Sequence, residues 1–405
     1  MGTWGEKTAT MPPVYFGLPN KSYRSLKIEA NESRKPEIHL RLTEKRGNTC
    51  PYCGGGRLRS KGRYRRRARH LPVFGRESLI AIELRRFHCI DCSRTFTPET
   101  PGLRPGRHST EPLRQQIASD HHEGISNSAL ARLRRFGSAT IERIYAEFTA
   151  RKAAERITLQ CPIVLGIDEH TLHKKQRFVT TFCDLRNRKI FDVVPGRSEK
   201  EMTAFLSRLQ GRKRVKVVCI DLSSPYRKLI RRWFPNARIV ADRFHVVRII
   251  QYHFMTLFSE LVPELSEQRG LFALLRTKPK NLKPANALKL QKLFQKHPVL
   301  KPVYDQMQKI RRLVSQKSKT KRECRKLASL FTRIIGQLKD SLFKPMLTLA
   351  KTLSAWAQPI ACMWRFTRNN GITEGFHRKM KLIQRRAYGF KNFENYRLRV
   401  IAQCG

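Results

Sequence analysis

Acid is scarce in this chain. Its 405 residues hold 31 Asp and Glu against 83 Lys and Arg, a formal net charge of +52. A field of that sign exceeds what solubility needs and recruits polyanions by releasing their counterions, so nucleic acid is the expected partner. A ribosomal protein is also basic, but it has no use for the carboxylates considered below. No run approaches the roughly 20 apolar residues of a membrane span, and Met1 to Asn20 lacks both the basic start and the apolar stretch of a secretion signal. No membrane partner is expected, and the chain is expected to be cytoplasmic. Disulfide-type spacing is missing too, since Cys161, Cys183, Cys219, Cys324, Cys362 and Cys404 stand singly. The length calls for two or three domains, each with its own core.

Against so little acid, two carboxylates at the ends of apolar runs stand out. Val164-Leu165-Gly166-Ile167-Asp168-Glu169-His170 and Val217-Val218-Cys219-Ile220-Asp221 both read as strands buried on both faces that stop at aspartate. If the strands are neighbours, Asp168 and Asp221 meet at one sheet edge. Holding two such charges together is costly unless a divalent cation lies between them, which points to metal-assisted chemistry on phosphate. Glu374, in the first turn of a helix that starts at Asn370 or Thr373, is expected to complete the set. Asp242 ends a further strand, Arg238 to Ala241. It is either a helix cap contacted by His245 one turn along or a direct participant in the chemistry, and both readings stay open. Glu169 points to the opposite face of its strand, and Asp184 and Asp192 belong to a hairpin and are expected to be structural.

The remaining four cysteines are grouped as metal ligands are. Cys50-Pro51-Tyr52-Cys53-Gly54 and Cys89-Ile90-Asp91-Cys92 bracket two expected strands, Arg63 to Val73 and Ser78 to Phe87. Two such knuckles supply the four thiolates of a structural zinc ribbon. Redox pairs are the bland alternative; His70 or His88 is an alternative ligand, and Cys50, Cys53, Cys89 and Cys92 are the simpler set. Between the knuckles, Arg65, Arg66, Arg67 and Arg69 form a cationic block expected to contact phosphates.

The organisation expected is multidomain, α+β and α/β. A leader of loose order spans residues 1–36 and the ribbon 37–104. Three short helices in 105–158, capped at Thr110, Ser126 and Ser138, read as a helix-turn-helix, with Ser138, Thr140 and Arg143 exposed on the third for base contact. Residues 159–250 follow the order of a ribonuclease H-like domain: three antiparallel strands, then helix, strand, helix, strand, with the first strand central. Residues 251–361 read as an all-helical insertion, and 362–405 return to the catalytic domain. There Arg365, His377, Arg378, Lys381 and Arg385 are candidate DNA contacts. Trp364 either stacks on an unpaired base or packs beside the helix start.

These motifs, together with Asp242-Arg243-Phe244-His245-Val246 and the block from Thr373-Glu374-Gly375-Phe376-His377 to Tyr396-Arg397, resemble those of bacterial insertion-sequence transposases of the ISL-three family. The resemblance covers nearly the whole chain. It implies an aspartate-aspartate-glutamate transposase, with Asp168, Asp221 and Glu374 holding two Mg²⁺ (or Mn²⁺) ions about 4 Å apart and structural Zn²⁺ in the ribbon. It further implies double-stranded DNA partners (terminal inverted repeats and target), at least a homodimer on DNA, and a nucleoid-associated location in a bacterium. Two competitors remain at this stage. One is a zinc-containing DNA-binding regulator with no catalysis; the other is a structure-specific nuclease of the same fold.

Overall fold

The computed structural model describes residues 17–19, 22–30, 35–42, 49–73, 75–173, 177–366 and 371–405, less the side chains of 173, 177 and 371–374. The chain gathers into two compact units, Met1–Arg151 and Lys152–Gly405.

In the first unit a sheet runs in the order β1 (Tyr23–Ala30), β2 (Pro36–Leu42), β4 (Arg76–Cys89), β3 (Leu58–Val73), with β5 (Thr95–Phe96) added to β4. β2 and β4 pair in parallel and the other pairs are antiparallel. Alternation explains the core: Ile80, Ile82 and Leu84 face inward from β4 and meet Ile38, Leu40, Tyr23 and Ala68. β1 lies in the stretch expected to be a loose leader. It is polar and weakly periodic, and it is ordered by pairing with β2. Three helices follow, α1 (Glu111–Glu123), α2 (Asn127–Arg134) and α3 (Ser138–Ala154), closed over Leu113, Ile117, Leu130, Ile141, Ile144 and Tyr145. Ser126 caps α2 by accepting from the Ala129 amide. Ser138 is the first helical residue of α3 rather than its cap, and Gly137 supplies the carbonyl that the Thr140 and Ile141 amides reach.

The second unit is built on a sheet ordered β10 (Arg238–Ala241), β9 (Val217–Ile220), β6 (Val164–His173), β7 (Arg177–Asp184), β8 (Lys189–Pro195). β10, β9 and β6 are parallel; β6, β7 and β8 form an antiparallel meander. α4 (Glu199–Arg208) and α5 (Ser224–Trp233) link its strands, α4 opening with a capping box between Ser198 and Glu201. Asp184 closes the β7–β8 hairpin by accepting from the Arg186 and Asn187 amides.

Helices then dominate: α6 (Arg243–Leu261), α7 (Arg269–Arg276), α8 (Pro284–Lys296), α9 (Leu300–Val314), α10 (Lys321–Lys339), α11 (Lys344–Ala355) and α12 (Ala357–Arg365). Their apolar stripes join the same core as the sheet. No helix among the described residues is long and apolar enough to cross a membrane. Finally α13 (Gly371–Arg386) packs on β6 and α14 (Phe393–Cys404) on β8. Arg397 of α14 donates to both carboxylate oxygens of buried Asp192, at 2.6 and 2.7 Å, a fork that locks this helix to the meander.

Candidate functional site

Strand register assembles the acids. β6 and β9 pair in parallel with Gly166 opposite Cys219, so two residues further on Asp168 stands opposite Asp221. β9 and β10 pair with Ile220 opposite Ala241, which places Asp242 beside Asp221. Three aspartates thus form one row across three neighbouring strands, whose spacing is about 4.8 Å. β9 and β10 end here, since a carboxylate cannot continue into a core without a partner, whereas β6 does not stop at Asp168 as its apolar run suggested but continues to His173, paired with β7.

The three differ in what holds them. Asp242 is 2% exposed and fully engaged. One oxygen caps α6 through the Phe244 amide, and the other lies 2.7 Å from His245 Nδ1. That contact raises the His245 imidazole above its ordinary value, against the pull of its burial. Asp168 accepts from the Glu169 amide at 2.9 Å and faces His377 Nδ1 at 3.7 Å. Burial pushes its carboxyl up to about 6; Asp221 and Asp242 add to this, and His245 opposes it. Asp221 is also raised, first by burial and then by Glu169 and Asp242, and its Oδ1 is buried with no hydrogen-bond partner among the described residues. Buried, mutually repelling carboxylates with an oxygen left over suit a divalent cation.

Behind Asp168 runs a polar chain that the sequence reading did not anticipate. Thr181, opposite Asp168 on β7, lies within 3.4 Å of His377 Nε2 and 3.2 Å of His170 Nδ1, and His170 Nε2 lies 2.8 Å from the Tyr396 hydroxyl. Burial drives the His170 imidazole down to about 3. The only signal for this chain is that His170 and Thr181 share a side of the sheet with Asp168, two residues along and directly opposite. His377 therefore turns inward to the acids rather than outward as a DNA contact. Arg365, Arg378, Lys381 and Arg385 are exposed. Glu374 lies in the first turn of α13, and its side chain falls outside the described residues.

Trp364 is not placed to stack on a base. It is completely buried, its indole N–H donates to the Leu313 carbonyl, and Phe331 meets it edge to face.

In the first unit the four cysteines converge. Cys50 and Cys92 sulfurs are 3.6 Å apart, as are those of Cys53 and Cys89, and all four lie within 4.8 Å of one another. Four sulfurs at a Zn–S distance of about 2.3 Å are separated by about 3.8 Å, so the set fits tetrahedral zinc. Gly54, at a φ of 74°, closes the first knuckle by donating to the Cys50 carbonyl. His70 bonds Thr110, and His88 faces Thr95, so neither replaces a ligand. Among the described residues this is the only such tight cluster of metal-type ligand atoms.

The arginine block divides. Arg65 is exposed on β3. Arg66 donates to the Arg104 and Arg107 carbonyls and Arg67 to buried Glu37. Arg69 is bound to the Arg134 and Arg135 carbonyls and Glu77, and stacks on Phe136 at 3.9 Å. Arg66 and Arg69 are thus tied to carbonyls of other segments, whereas Arg67 pairs with Glu37 and stays largely exposed. On α3, Ser138 and Arg143 are exposed and Thr140 is half-buried.

A family model described as Transposase, of the ISL3 type, matches residues 165–400. A second, described as zinc-finger of transposase IS204/IS1001/IS1096/IS1165, matches residues 46–92. The chain is similar to the transposase for insertion sequence element IS1001 of Bordetella parapertussis, 28% identical over 386 residues that cover 91% of each chain.

Proposed function

The chain belongs to the ISL3 family of transposases, and from that premise we propose how this DNA transposase works: Asp168, Asp221 and Glu374 bind Mg²⁺ or Mn²⁺ and cut and join DNA strands. The observation that carries the assignment is the register row, with the unpartnered Asp221 oxygen at its centre. Asp242, whose oxygens are both engaged, positions His245 and is not a ligand. Glu374 approaches from α13, which packs on β6 and whose His377, one turn further along, faces Asp168.

A bound divalent cation would supply charge stabilisation for the oxygens that enter and leave the phosphodiester. Asp168, within β6, and Asp221, just past the end of β9, orient it from positions fixed by the core. Water serves as nucleophile at the element's ends, and the freed 3′-hydroxyl then attacks target DNA in the same place. The strand order supports a ribonuclease H-like domain begun at residue 159 and completed by 362–405, with 251–361 as its helical insertion. The ribbon, carrying structural Zn²⁺, and a helix-turn-helix in 105–158 bind the terminal inverted repeats through exposed Arg65, Ser138 and Arg143. Thr140, half-buried, contributes at the margin of that face. Arg365, Arg378, Lys381 and Arg385 hold DNA backbone near the acids, and two ends are held by at least a homodimer in the bacterial cytoplasm, on the nucleoid.

The test is incubation of the purified protein with labelled element ends, plasmid target and Mg²⁺. Joined products are expected. Asp168→Asn is expected to bind ends normally while cleavage falls on the order of a thousandfold. A variant that still nicks removes Asp168 from the site, and cutting without joining makes the protein a nuclease rather than a strand-transfer enzyme.

A further inference from the structure

The helix that begins at Asp242 carries an exposed stripe of unusual composition. α6 buries Val246, Ile250, Phe254, Leu257 and Phe258 on its inner face. Its outer face presents Phe244, Arg248 and Tyr252 at successive four-residue steps. Phe244 is 53% and Tyr252 67% exposed. Singly exposed aromatics are ordinary; two on one helical stripe with a cation between them are not.

The stripe starts at the acids. Phe244 meets the His245 ring edge to face at 5.6 Å, and His245 is the residue held by Asp242. Arg248 sits over the Phe244 ring at 6.0 Å, and its charge opposes the rise that burial imposes on the Asp221 carboxyl. Beyond it a depression of about 370 Å³ is lined by Arg248, Gln251, Tyr252, Met255, Phe272 and Arg276. Eight helical residues span about 12 Å, so the two rings are far enough apart to take different bases of an extended strand. Arg248 and Arg276 carry the charge that phosphates require.

We propose that this stripe is a platform for unpaired DNA next to the scissile phosphate. Bases stack on Phe244 and Tyr252, and Arg248 meets the phosphate between them. Stacking of this kind is tolerant of sequence, and duplex DNA, whose bases are already stacked on one another, does not engage it. The proposal rests on the transposase reading only in its choice of ligand.

It is tested without divalent cation, so that binding is read apart from catalysis. The full-length protein is titrated with a short oligothymidylate carrying one fluorescent base analogue quenched by stacking, and with a blunt duplex of the same length. The wild type is expected to quench the analogue. Phe244→Ala and Tyr252→Ala are each expected to bind the single strand roughly tenfold more weakly and lose quenching. Phe244→Trp and Tyr252→Phe retain both, and duplex binding changes little. Arg248→Gln flattens the salt dependence of single-strand binding. The proposal is overturned if the alanine variants quench like wild type, or if single-strand and duplex binding fall together. It is equally overturned if the variants change only the oligomeric state, which makes the stripe a contact between copies. Failure here leaves cleavage by Asp168 untouched, and failure of cleavage leaves this result standing.

Discussion

The cysteine cluster and the aspartate row both gather ligand atoms, but they are built in opposite ways. The four thiols come from two knuckles joined by one hairpin, and their sulfurs converge to within 4.8 Å over a small core of Phe96, Leu58 and Phe87. So little apolar surface cannot hold four thiolates together unaided, and there metal binding and folding are one event. The aspartates are set by strand register in the largest core among the described residues. A site whose purpose is shape needs its ion in order to exist. A row fixed by its sheet should not need an ion to keep its shape.

That contrast can be broken most decisively by metal removal. Stripping zinc, or Cys53→Ser, should cost the ribbon on the order of 10 kcal/mol and open residues 49–96 to proteolysis and hydrogen exchange. Withholding Mg²⁺ should leave exchange in the sheet of the second unit unchanged. Equal loss of protection in both units would end the distinction. A smaller effect probes what replaces metal as the fastener of the second unit: Arg397→Ala strands buried Asp192 and should destabilise that unit by about 3 kcal/mol in denaturant unfolding, with Arg397→Lys recovering part of it. A loss within about 0.5 kcal/mol, the range of ordinary surface changes, would show that α14 is held by packing alone. The smallest effect separates neighbours on one strand. Arg65→Ala should reduce the slope of log K against log salt by about 0.9 for duplex binding, whereas Arg69→Ala should leave the slope and lower the melting temperature of the first unit. If both shift the slope alike, the buried contacts of Arg69 do not govern its role.

Legibility followed the same divide. The strand Arg238–Ala241 appears at the residues expected of it, and the apolar runs before Asp168 and Asp221 form strands, because continuous Val and Ile bounded by polar residues permit little else. The knuckles were readable from spacing. The hairpin between them, Leu58–Val73 with Arg76–Cys89, is longer than patterning suggests, since its solvent face is arginine and lysine and hides the alternation. Side-chain fate was less readable. Trp364 and Arg69 look like ligands for DNA in sequence, yet each finds a carbonyl partner far along the chain that only tertiary structure supplies. His377 looked like a DNA contact and instead meets Asp168 and Thr181. The stripe of Phe244, Arg248 and Tyr252 had a signal, two aromatics eight apart with a cation midway, but so many helices share that spacing that burial was needed to see it.

The sheet that bears Asp168 is completed by groups far along the chain, Tyr396 against His170 across 226 residues and Arg397 against Asp192 across 205. A product truncated before Phe393 would carry a finished ribbon and three-helix module, but a meander with Asp192 bare and His170 unsatisfied. Loss of the last helix therefore reaches the sheet of the second unit and leaves the elements of the first unit whole.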